Sequence, residues 1–140
     1  MNIITGIILT IISFNALASG LVTISETKNL CKNAASLLSK GKTSESFNSL
    51  KPYWPIPAAE IDNLSYQTET QLKMVSKRFG KSIGTDFIKT QKAGDSFIKH
   101  TFILKHEKTS IRYICVFYKP KTKWLVNSVS WDDKTALLFE

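Results

Sequence analysis

Carboxylates are scarce in this chain: 11 Asp and Glu stand against 19 Lys and Arg in 140 residues, a formal charge of +8. Such an excess often marks a nucleic-acid binder, but Lys28, Lys32, Lys40, Lys42, Lys51 and the later lysines are scattered, not clustered. Nucleic acid is therefore not read as a partner; an acidic protein or an anionic surface suits the charge better. Histidine and cysteine occur twice each, at His100 and His106 and at Cys31 and Cys115. Neither type forms the close pairs, C-x2-C or H-x3-H, that mark zinc sites, so no metal is expected. No serine lies in G-x-S-x-G. Gly80-Lys81-Ser82 lacks the upstream glycine of a phosphate loop, Val75 standing in its place. No cofactor is implied. Repeats, low-complexity tracts and linkers are absent.

The one long apolar run is Ile3 to Phe14, inside 18 residues that carry no charged side chain. It falls short of the ~20 residues of a membrane span and is followed by Ala16-Leu17-Ala18, a small-x-small cleavage pattern. Residues 1–18 therefore read as a secretory signal peptide and 19–140 as one basic domain, exported to a periplasm or secreted, with no transmembrane span after cleavage. Export permits a disulfide between Cys31 and Cys115. Two buried free thiols are the alternative, because cysteine is among the most buried residue types.

Helices come first. Thr23 and Glu26 have capping-box spacing, and Leu30, Cys31, Ala34, Leu37 and Leu38 follow at helical period until Gly41. A short helix is capped by Thr43 or Ser44. Pro52, Pro55 and Pro57 break it. A third helix runs from about Ala58 to Phe79, with Gly80 as its stop. Its narrow apolar stripe predicts that it lies across a sheet. Strands follow at about 86–92, 96–107, 110–119 and 123–131, then a short tail. Their short links imply an antiparallel meander with one face packed under helices. Ile111, Tyr113, Cys115 and Phe117 form the inward row of the third strand. Ile98, His100, Phe102 and Leu104 form that of the second, with His106 reaching solvent at its end. The outer row, Arg112, Ile114, Val116 and Tyr118, is apolar enough to serve as a homodimer face. Asp132-Asp133 reads as a solvated turn, since neighbours on a strand point to opposite faces.

Three helices followed by a curved antiparallel meander resemble the cystatin-like α+β roll of the NTF2-like superfamily. The segments Arg112–Pro120, Lys123-Trp124, Ser128–Asp133 and Leu137–Phe139 resemble small exported bacterial members of unassigned function. The resemblance implies a fold class of α+β, with N-terminal helices on a curved four-stranded antiparallel sheet. It also implies a cone between the layers that can hold a catalytic site, take a ligand or be filled by side chains.

Within that cone His100 is the candidate acid–base residue. Tyr66, Tyr113, Phe117 and Trp124 join it as ligand-pocket candidates. Three functions follow. The first is a non-catalytic module binding a small apolar ligand or a protein. The second is an enzyme of isomerase or cyclase type using His100. The third is an envelope inhibitor or immunity-type protein. A cone packed solid would favour protein binding.

Overall fold

The computed structural model describes residues 20–140; the expected signal peptide lies outside them. Helix α1 (Ile24–Ser39) begins where the sequence marks it. The Thr23 hydroxyl accepts from the Glu26 amide, and the Glu26 carboxylate accepts in return from the amides of Thr23 and Val22. Those bonds hold the Glu26 pKa below its ordinary value.

Helix α2 (Thr43–Leu50) departs from expectation at its cap. Lys42 occupies that position without a side-chain bond, and Thr43 is buried within the helix. A 3-10 turn at Lys51–Tyr53 leads through the prolines into α3 (Ala58–Phe79), which Gly80 ends at φ +89°. The four strands are β1 (Ser82–Ala93), β2 (Phe97–His106), β3 (Ser110–Tyr118) and β4 (Leu125–Asp132). They form one antiparallel sheet in the order β1-β2-β3-β4. The fold is thus α+β, three helices on a four-stranded antiparallel sheet.

The inward rows are as the pattern requires. Ile98, His100, Phe102 and Leu104 of β2 and Ile111, Tyr113, Cys115 and Phe117 of β3 are all buried. Two expectations are corrected. It is α1 that packs on β1, β2 and β3, whereas α3 packs chiefly on α2. Strand β1 starts four residues early, at Ser82, because pairing with Leu104–His106 carries it through irregular register at Gly84.

A disulfide joins Cys31 of α1 to Cys115 of β3, with Cα atoms 6.0 Å apart and both residues wholly buried. It pins the helix layer to the middle of the sheet. Leu21, just ahead of α1, forms a two-bond antiparallel bridge to Trp124, which is buried there. The tail, a 3-10 turn at Thr135–Phe139, lies against β3 and is held by the Lys89 ammonium, which donates to the carbonyls of Leu137 and Glu140. Arg112 and Ile114 of the expected dimer face are accordingly buried within the chain, while Val116 is half-buried and Tyr118 exposed.

Candidate functional site

His100 is fully buried, and both ring nitrogens are committed. The Thr27 hydroxyl donates to the Ile24 carbonyl at 2.6 Å, so it accepts from Nε2–H of His100 at 2.8 Å. Nδ1 is then the acceptor, receiving the Thr90 hydroxyl at 2.7 Å. Thr90 reaches this position through a register shift between Phe87 and Lys89, which turns it to the inner face opposite His100. Burial, with the nearby Lys28 ammonium adding to it, lowers the imidazole pKa to about 4. The ring packs edge-on against Phe117 at 5.8 Å. His100 is thus a neutral cross-brace between α1, β1 and β2.

Aromatic and aliphatic side chains fill the interior around it. Phe102, Tyr113, Phe117, Leu50 and Leu104 are all almost inaccessible. The Tyr113 hydroxyl has no hydrogen-bond partner among the described residues, although Ser46 is near. Ser46 donates instead to the Ala34 carbonyl. Burial pushes the Tyr113 phenol well above its usual range, so it stays neutral. Trp124 is buried in its bridge to Leu21, and Tyr66 is 71% exposed on α3. Of the five pocket candidates, His100 and Phe117 touch, Trp124 and Tyr66 lie apart from them, and none of the five lines the clefts described next.

Two adjoining clefts lie at the end of the layer where α1 and α3 finish and β1 begins. A cleft of about 210 Å³ has Leu38, Leu72 and Leu104 among its apolar residues, and Ser39, Ser76, Ser82 and His106 among its polar ones. It continues into a shallow trough of about 700 Å³ that shares Ser39, Ser76 and Ser82 and adds Ser36, Lys40 and Lys81. Ser39 and Ser82 join hydroxyl to hydroxyl at 2.6 Å.

His106 was expected to face water. It is instead buried, and Nδ1–H donates to the Gly80 carbonyl at 3.0 Å. In the neutral ring Nε2 is then an acceptor. The wall behind it is stapled: the amides of Glu107 and Lys108 donate to the carbonyls of Lys81 and Phe79. Glu69 is paired with Lys73 at 3.2 Å on the rim. No motif in the sequence marks this group, because its members come from four separate elements. Among the described residues no three His, Cys, Asp or Glu side chains gather as metal ligands.

Asp132 is also more than a turn residue. Its carboxylate takes both Nε and Nη2 of Arg112, at 2.8 and 2.7 Å, which draws the Asp132 pKa down and the Arg112 pKa up.

No family model and no curated protein matches the chain. Among solved structures, a Campylobacter jejuni protein described as a "Putative NTF2-like transpeptidase" is similar at 18% identity and a TM-score of 0.49, over 71% of this chain and 95% of that one. A likeness of that degree says nothing of what either chain binds or does.

Proposed function

We propose that this chain is an exported, non-catalytic binding domain of NTF2-like type that engages its ligand at the surface, not inside a cone. The supporting observation is the state of His100. A general base needs a lone pair within reach of substrate. Here Nδ1 is spent on Thr90 and Nε2–H on Thr27, in a filled interior and on a ring whose pKa is about 4. An isomerase or cyclase built on His100 would first have to release the ring from Thr27 and Thr90. Export is supported by the buried disulfide and by the leader read at residues 1–18. No helix among the described residues is long and apolar enough to cross a membrane.

Nitrogen-resolved NMR tests the binding-domain reading. His100 should hold its proton on Nε2 and stay untitrated from about pH 8 to about pH 5, where a free histidine changes charge. A midpoint near neutrality at His100 would overturn it. Export is checked on the full chain expressed in a bacterium: the product should begin at Ser19, lie outside the cytoplasm and show no free thiol. A cytosolic product retaining Met1 would refute that part.

A further inference from the structure

We infer that the cleft at Ser39, Ser82 and His106, with its lysine-bordered trough, binds a small phosphate-bearing polyol, either free or as a lipid headgroup. The inference rests on the reading of the chain as a binding domain and adds the class of ligand.

Three features of the cleft define that class. First, it offers acceptors and donors in fixed places. Nδ1–H of His106 is held by the Gly80 carbonyl, so in the neutral ring Nε2 can accept a hydrogen bond from a ligand hydroxyl. In the Ser39–Ser82 pair one hydroxyl donates to the other, and the second O–H is left over as a donor. A ligand must therefore carry both hydroxyls and acceptor oxygens, as a polyol does.

Second, the charge of the lining is positive. Lys40 and Lys81 stand in the trough and make no salt bridge among the described residues, while the only carboxylate of the two clefts, Glu69, is already paired with Lys73. Two free ammonium groups beside hydroxyl donors suit a phosphate, whose several oxygens accept from all of them.

Third, the site is preorganised. Leu38, Leu72 and Leu104 are buried core residues that give an apolar floor for the C–H face of a polyol. The wall from Phe79 to Ser82 is bonded to the end of β2 at three places, by Glu107, Lys108 and His106. Little ordering remains for a ligand to impose. The cleft of about 210 Å³ is the more enclosed part, and the trough beside it is open to solvent.

Amide NMR on the oxidised protein tests the proposal, with glycerol 3-phosphate, glycerol and inorganic phosphate as probes. Glycerol 3-phosphate should shift Ser39, Ser82 and His106 saturably, with Kd on the order of 1 mM or tighter. Glycerol, lacking the anion, and inorganic phosphate, lacking the polyol, should each bind at least ~tenfold more weakly, one factor of ten being ~1.4 kcal/mol.

Lys81→Glu alters only an exposed rim side chain and should weaken glycerol 3-phosphate at least ~tenfold, while Lys121→Glu, the same charge change in the β3–β4 turn, should leave it unchanged. Co-sedimentation with phosphatidylglycerol vesicles, abolished by Lys81→Glu and competed by glycerol 3-phosphate, assigns the ligand to a headgroup. Binding of the free probe without vesicle binding assigns it to a soluble molecule.

Equal loss in both lysine variants would reduce the effect to net charge and overturn the inference. So would the absence of any shift in the cleft. The binding-domain reading would survive either result, because its own test is the protonation of His100.

Discussion

His100 is the side chain whose meaning changes most between sequence and structure. On an inward strand face it has the look of an acid–base group. Its neighbours turn it into a brace, and that brace has a pH signature. The folded pKa of about 4 lies below the ordinary 6.5, so between those values the unfolded chain binds the extra proton. The stability involved is complete above about pH 6.5 and is lost as pH falls toward about 4, amounting to about 3 kcal/mol. Urea unfolding at a series of pH values should show this slope, and His100→Gln, which cannot titrate, should flatten it within the window. A variant with the wild-type slope would place the titrating group elsewhere.

The Arg112–Asp132 pair gives a second residue-scale expectation. Arg112 is 7% exposed, so Asp132→Ala strands a nearly buried cation. The expected loss is about 3 kcal/mol, read from denaturant midpoints. Replacing Asp133, which is exposed and makes no such contact, should cost under about 0.5 kcal/mol.

At the scale of elements, the joint from α3 to β1 shapes the cleft. Gly80 has φ +89°, and a Cβ there would lie 2.9 Å from the Glu107 Cβ and 2.7 Å from its carboxylate oxygen. Gly41 has φ +75° with nothing within 4 Å. Gly41→Ala carries a positive-φ backbone penalty of about 1 kcal/mol. Gly80, at φ +89° and ψ −179°, sits where essentially only glycine goes, so Gly80→Ala costs more in the backbone alone, on the order of 1–3 kcal/mol. Only Gly80→Ala must also push β2 away, so it should be the costlier by at least about 1 kcal/mol and should displace the His106 resonances. Equal costs in thermal unfolding would contradict both the backbone and the contact argument at Gly80.

The helices that the sequence marks well are those with local signals: the Thr23/Glu26 capping box opens α1, and Gly80 closes α3. The elements it marks poorly depend on partners. The early start of β1 is dictated by pairing with β2. Thr90 faces inward only because the shift at Phe87/Lys89 breaks the two-residue alternation. No alternation argument could have put Thr90 against His100.

For the molecule as a whole, the Cys31–Cys115 link closes a loop with a sequence separation of 84. Its loss in a Cys31→Ala/Cys115→Ala double variant should lower stability by about 4–5 kcal/mol in the chain-entropy model. Because both cysteines are wholly buried, reduction of the folded protein should be slow and should track global unfolding. Thiol titration under native conditions, with a reductant present, checks this. Rapid appearance of two thiols without loss of structure would contradict the buried placement.

The sequence by itself determined the order of elements, the antiparallel meander and the inward rows of β2 and β3. Those follow from periodicity and short connections, which are local along the chain. It also named the two cysteines without deciding whether they bond. Tertiary structure alone decided what each polar side chain does: His100 braces between two threonines, His106 is drawn into a cleft wall, and Asp132 is matched to Arg112. Hydrogen-bond partners come from residues distant in sequence, and burial, which makes such bonds matter, exists only once the layers have closed.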